Sequence, residues 1–364
     1  MIYLDYNATA PMRREAFAAA CELLQKPLNP SSIHANGRSA KAVLEKSRSK
    51  IAEIISCFAH ELLFVASGSE ANNMVIKGAN YASLAVCSTE HSSVLKVKDG
   101  AHILPVSENG LLDLAALQEF LQNAPSPALV CVMLANNETG VIQPIAEIAK
   151  IVHHYDGLLH VDSVQAFGKI AVDCNLLRAD FLSLSGHKIG GGLGAGALFI
   201  ADKHQLSPLI AGGGQELNRR SGTENLPAIA AFAAAAESAV NNFADYNHIE
   251  SWLRSFEVEA SALFVGENIV IGAGAQRLPN TSLLRIPNLA SETQLIHFDM
   301  NNIAVSAGSA CSSGRIARSH VVEAMLGAGA GGDVIRLSAG WNTKQEDILA
   351  FQKVWLKLAE KVKS

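Results

Sequence analysis

Cysteine is scarce in this chain and scattered: six residues, at 21, 57, 87, 131, 174 and 311, with no CxxC pair. That spacing argues against both a zinc site and a disulfide framework, so no metal is expected. Long apolar runs are missing too. Hydrophobic residues make up 49% of the chain and mean hydropathy is +0.19, but they fall in short runs and Ala-rich stretches, none near the roughly 20 residues of a membrane span. Basic residues are not in excess. A net charge of −5 and a pI near 6.2 leave no footprint for nucleic acid, so neither nucleic acid nor membrane is an expected partner. The first residues, MIYLDYNATAP, carry acid and amide groups where a secretory signal has a positive region and an apolar core, and the expected location is cytoplasmic. No GxxxxGK[ST] occurs, which removes the P-loop.

At 364 residues the chain exceeds the roughly 250–300 residues at which one core stops growing. One large domain (13–247) and a smaller α+β one (1–12 with 248–364) are expected. From Leu62 to Ile200 short apolar runs alternate with helical patterns, which predicts an α/β fold with a mostly parallel sheet flanked by helices.

Its centre is Leu158 to Gly196. Two apolar runs, Gly157–Val161 and Ala179–Leu184, read as buried strands, and each ends abruptly in polar residues: Asp162 with Gln165 after the first, Ser185-Gly186-His187-Lys188 after the second. Ligands gather at the carboxyl ends of strands in such sheets. A carboxylate that holds a pyridinium nitrogen protonated, and a lysine that forms a Schiff base with an aldehyde, are together the apparatus for pyridoxal 5'-phosphate. Either residue alone reads more simply as a helix cap or a solvated lysine; the pair at successive strand ends favours the cofactor.

Other strand ends carry polar groups of the same kind. Leu62–Ala66 runs into Ser67-Gly68-Ser69-Glu70-Ala71-Asn72, a strand, glycine turn and helix that suits an anion; the plain alternative is Ser69 as a cap. Leu84–Cys87 ends in Thr89-Glu90-His91, and Leu129–Leu134 in Ala135-Asn136-Asn137. The run Gly190 to Gly196 precedes a strand, Ala197–Ile200, whereas dinucleotide glycines open a helix; these glycines read instead as letting backbone pass close to a bulky cofactor. Arg219-Arg220-Ser221-Gly222-Thr223 precedes the helix Pro227–Val240 and contacts a phosphate or merely caps that helix. Arg336 stands in the apolar run Val334–Ser338, either at a watered edge or clamping a carboxylate. Cys87, Cys131 and Cys174 read as small buried hydrophobes. Cys311 is different, because Ser306 to Gly314 is all tiny residues that build no core and leave a sulfur exposed.

Taken together, YLDYNATAP, NPSSIHANGR, TEHSSV, LANNETGVIQP, HVDSVQAFGKI, SGHKIGG, GGGQELNRRSGTEN and SAGSACSSG resemble, in order and nearly end to end, the cysteine desulfurases of the class V aminotransferase group, fold-type I pyridoxal phosphate enzymes. The resemblance implies that Lys188 bonds the cofactor and moves protons, Asp162 pairs with the ring nitrogen, Gln165 with the ring hydroxyl, and His91 stacks on the ring and acts as acid or base. It implies that Gly68, Ser69, Ser185 and His187 hold the phosphate, with Thr223 reaching in from the neighbouring subunit of a homodimer. Asn137 and Arg336 would bind the substrate carboxylate, and Cys311 would be the nucleophile that takes sulfur from L-cysteine as a persulfide, leaving L-alanine. The sulfur would pass to an acceptor protein or small thiol, in iron–sulfur cluster or thio-cofactor assembly. Arg315-Ile316-Ala317-Arg318 departs from the family's acidic-then-proline version. An aminotransferase or selenocysteine lyase of the same fold is the alternative, and a non-catalytic sulfur carrier or partner-binding protein is a more distant one.

Overall fold

The computed structural model describes residues 1–308 and 318–363. Cys311 and Arg315 lie outside the described residues. Eleven strands are defined among the described residues: β1 (Ile2–Tyr3), β2 (Leu62–Val65), β3 (Ser83–Cys87), β4 (His102–Leu104), β5 (Ala128–Met133), β6 (Leu158–Asp162), β7 (Phe181–Ser185), β8 (Gly196–Ile200), β9 (Thr281–Arg285), β10 (Ile303–Ala304) and β11 (Val334–Ser338). Seven of them form one sheet in the order β2-β8-β7-β6-β5-β3-β4. Only β8 runs against its neighbours; β4, β3, β5, β6 and β7 are parallel. The α/β reading with a mostly parallel sheet therefore holds.

Both faces of this sheet are covered, which is why its strands read as continuous apolar runs. In β5, Ala128, Val130 and Val132 enter one core while Leu129 and Cys131 enter the core on the opposite face, the period-2 alternation of a strand. The helices Arg14–Leu24 and Ala35–Ile54 pack on Leu226–Asn241 over the first face. A second core gathers around β9 and β11, which pair antiparallel, where Phe256, Phe298, Phe351 and Trp355 interlock. Cys87, Cys131 and Cys174 are all buried, as their apolar surroundings imply.

The second helix begins at Ala35 because His34 caps it, its Nδ1 accepting from Gly37 N at 3.2 Å. Gly37 thus lies inside the first turn, where a Cβ would fall 2.0 Å from the Ser32 carbonyl oxygen; glycine allows the Asn29–Ser32 turn to fold back on the helix. The glycines after Lys188 face protein and not the cavity. A Cβ at Gly190, whose φ is +82°, would lie 2.7 Å from Pro11 O and from the Trp341 ring, and one at Gly191 2.9 Å from Phe232 Cα, which corrects the expectation that these residues make room for a cofactor.

Candidate active site

Every parallel strand that bears a polar end brings it to the same rim of the sheet, and there a cavity of about 400 Å³ opens. β2 delivers Ser67, Gly68 and Ser69, β3 delivers His91, β5 delivers Asn137, β6 delivers Asp162 and Gln165, and β7 delivers Ser185, His187 and Lys188. Arg336 arrives from β11, in the other core. Ten of the expected residues thus line one wall set: Gly68, Ser69, His91, Asn137, Asp162, Gln165, Ser185, His187, Lys188 and Arg336. Thr223 does not; it is exposed on the same chain, away from the cavity.

The carboxylate of Asp162 is buried and aligned by two donors, Val164 N to Oδ1 at 2.9 Å and Asn72 Nδ2 to Oδ2 at 2.8 Å. Lys188 Nζ donates to the main-chain oxygens of Asn7 (2.7 Å) and Ala8 (2.8 Å). His91 caps the short helix Ser92–Leu95, its Nδ1 accepting from Ser93 N at 3.1 Å. A ring nitrogen that accepts carries no proton, so the neutral ring bears its hydrogen on Nε2. Burial favours that neutral form against the pull of Asp162, with smaller help from Lys188 and His320, so His91 titrates below the ordinary histidine range. Burial and Lys188 likewise take His187 down to about 4.

The helix Gly68–Gly78 begins at the cavity wall. Ser67, not Ser69, is its cap, with Oγ accepting from Glu70 N at 3.2 Å. No side chain fits at Gly68, where a Cβ would lie 2.6 Å from Val164 Cγ2. Beside this helix start, Ser185 Oγ is buried without a hydrogen-bond partner. A buried hydroxyl left unpaired on a cavity wall, next to main-chain N–H groups at a helix N-terminus, is suited to an anion such as a phosphate. With Asp162 and Lys188 also on the wall, the residues present fit pyridoxal phosphate. The Arg219-Arg220 turn does not join them: Arg220 Nε is engaged by Glu70 Oε1 at 2.9 Å, and Asn225 caps the helix that follows.

Arg336 is buried, so the reading of a watered edge falls. Its Nη2 donates to Asp5 Oδ1 at 2.6 Å and its Nη1 to Asn137 O at 2.9 Å, while Nε is buried with no partner. Three contributors escaped the sequence reading. Asn7 is buried and joins both cores: its Nδ2 reaches Asn137 O (3.2 Å) and Thr281 Oγ1 (2.9 Å). Asn72 aligns Asp162, as above, and Ser93 Oγ (2.9 Å). Lys169 is fully enclosed, and burial, with Lys188 and Arg336 nearby, takes its ammonium well below the ordinary lysine range. For Asn72 the signal was present, since it closes the SGSEAN stretch one helical turn past Gly68; for Asn7 only the path of the chain shows it.

A mostly parallel sheet with an acid, a lysine and an anion cradle on one rim defines a pyridoxal phosphate enzyme of the aminotransferase kind. The family model for aminotransferase class V matches residues 2–351, and the chain belongs to that family, in its cysteine desulfurase branch. A cysteine desulfurase IscS from Dictyoglomus turgidum is 36% identical over 100% of this chain and 95% of its own length. A putative cysteine desulfurase IscS 1 from Bacillus subtilis is 35% identical over 90% of this chain and 89% of its own. Among solved structures, a NifS-like protein from Rickettsia africae superposes with a TM-score of 0.91 at 37% identity, covering 99% of each chain. SspA in complex with cysteine superposes with a TM-score of 0.77 at 28% identity, over 93% of this chain and 98% of its own. Membership of the family implies dependence on pyridoxal phosphate. No described helix is long and apolar enough to cross a membrane.

Proposed function

We propose that this enzyme binds pyridoxal phosphate in the cavity described and uses it to take sulfur from L-cysteine, leaving L-alanine. The observation that carries the proposal is the convergence of Lys188, Asp162 and Arg336 on that one cavity. SspA, a structural relative, was solved with cysteine bound, which supports the choice of amino acid. When bound, the cofactor supplies an electron sink for the charge that develops on the substrate. Asp162, held by Asn72 and Val164, is the residue for the ring nitrogen; Gly68, Ser69, Ser185 and His187 are the residues for the phosphate. Gln165 would serve the ring oxygen, and His91, neutral and fixed by Ser93, would pack on the ring.

Arg336 and Asn137 orient the substrate carboxylate. Lys188 Nζ, placed by the Asn7 and Ala8 carbonyls, takes and returns the proton of the substrate α-carbon. Cys311 is assigned as nucleophile on its position in the run of tiny residues from Ser306 to Gly314. Its thiolate attacks the substrate sulfur, the carbon–sulfur bond breaks, and the balance is one cysteine plus one enzyme thiol giving one alanine plus one persulfide, with no outside oxidant. The sulfur then passes to an acceptor protein or small thiol, and Thr223 serves the phosphate site of a second subunit in a homodimer. The test is an assay of purified protein with pyridoxal phosphate, L-cysteine and a thiol reductant. Equal amounts of sulfide and alanine are expected from the wild type and neither from Cys311→Ser. Transamination that survives Cys311→Ser would replace the desulfurase reading with the aminotransferase one.

A further inference from the structure

Lys169 sits behind the cavity wall, not on it, and is 3% exposed. Its Nζ donates to Gln165 Oε1 at 2.7 Å and to Asn7 Oδ1 at 2.7 Å, both neutral amide oxygens. The other half of each partner faces the site: Gln165 Nε2 donates to Asn7 O at 3.0 Å, and that same carbonyl receives Lys188 Nζ at 2.7 Å. Gln165 can otherwise rotate its amide by half a turn at little cost. With Lys169 at its oxygen the amide has one orientation, nitrogen toward the Asn7 carbonyl, and its remaining N–H is the only polar group it can offer a ligand. A ligand atom beside Gln165 must then be an acceptor.

We infer that Lys169 is a positioning residue which, through Gln165, makes this wall of the cavity a hydrogen-bond donor and so favours a ligand with an anionic ring oxygen at that point. The inference rests on the cofactor reading above and deepens it: pyridoxal phosphate carries such an oxygen, and its ionised form is the yellow one. Lys169→Met leaves Gln165 free to turn its oxygen toward the ligand. The expected result is about tenfold weaker binding of pyridoxal phosphate to the apoprotein, the worth of one hydrogen bond, and a lower ratio of yellow to near-ultraviolet absorbance at a fixed pH of about 8. A residue that only filled space would lower the melting temperature without moving that ratio.

Two further variants hold the inference to its mechanism. Lys169→Gln keeps a donor toward Gln165 and should restore most of the yellow band, and it serves as the comparison if Lys169→Met does not fold. In a Gln165→Leu background, Lys169→Met should change neither affinity nor spectrum further. The inference is overturned if folded Lys169→Met matches the wild type in both readouts, if Lys169→Gln behaves as Lys169→Met, or if the effect persists without Gln165. Wild-type apoprotein that fails to bind pyridoxal phosphate at all would overturn the cofactor reading itself, a separate result.

Discussion

Arg336→Gln should raise the Michaelis constant for L-cysteine and leave turnover nearly unchanged. The size follows from how the guanidinium is already occupied. Asp5 holds Nη2 at 2.6 Å and the Asn137 carbonyl holds Nη1 at 2.9 Å, while Nε is buried and unpaired. A substrate carboxylate therefore gains one new charge-assisted bond and exchanges another with Asp5, for a net of about 1.5–3 kcal/mol. At 1.4 kcal/mol per tenfold, kcat/KM should fall roughly 10- to 150-fold. Because the loss is of uniform binding, it should appear in KM. The variant also strands the Asp5 carboxylate, so Asp5→Asn/Arg336→Gln should recover folding stability while keeping the high KM. The assay is initial-rate alanine formation against L-cysteine concentration. A kcat/KM within threefold of wild type, or a fall confined to kcat, would refute the assignment of Arg336 to the substrate carboxylate.

Gly68→Ala pushes a Cβ to 2.6 Å from the stiff Val164 side chain, a strain of about 1–3 kcal/mol; equilibrium titration should show pyridoxal phosphate binding weakened at least several-fold, and unchanged affinity would separate this helix start from the phosphate. Arg48 forks onto Glu216 at 2.7 and 2.9 Å, both buried, so Arg48→Met should cost about 3–5 kcal/mol in urea unfolding by leaving a buried charge; a loss under 1 kcal/mol would show that water reaches Glu216. His160, fully buried with Ser183 Oγ at 2.9 Å, is taken down to about 4 by burial, against the pull of Asp162. The unfolded chain binds a proton there that the folded one refuses, so this site's share of stability is complete above about pH 6.5 and shrinks as pH falls toward 4, by up to about 3 kcal/mol. His160→Gln should flatten that slope in chemical denaturation at pH 7 and pH 5, and an identical slope would place the acid sensitivity elsewhere.

Much of this site was readable because its chemistry sits where hydrophobic periodicity stops. β6 and β7 end in Asp162 and Ser185, β3 and β5 just before His91 and Asn137, and a parallel sheet brings all carboxyl ends to one rim. What was not readable is held by contacts distant in sequence. Asn7 precedes the first helix, and long-range contacts such as the pairing of β1 with β10 and the bridge from Asp5 to Ser338 carry it to the cavity. Lys169 looks like one more surface cation until the fold covers it. The edge strand β4 escaped because His102 and Ile103 are exposed and show no buried run. The glycine run was misread since a sequence shows that backbone comes close to something, but not whether that something is ligand or protein.

The most direct test of the central claim is borohydride reduction of the protein loaded with pyridoxal phosphate, followed by peptide mapping. The cavity holds Lys188 on its wall and keeps Lys169 behind Gln165 and Asn7, so a pyridoxyl group on Lys188 alone is the expected product. Label on Lys169, on surface lysines at comparable yield, or on no lysine would contradict the account.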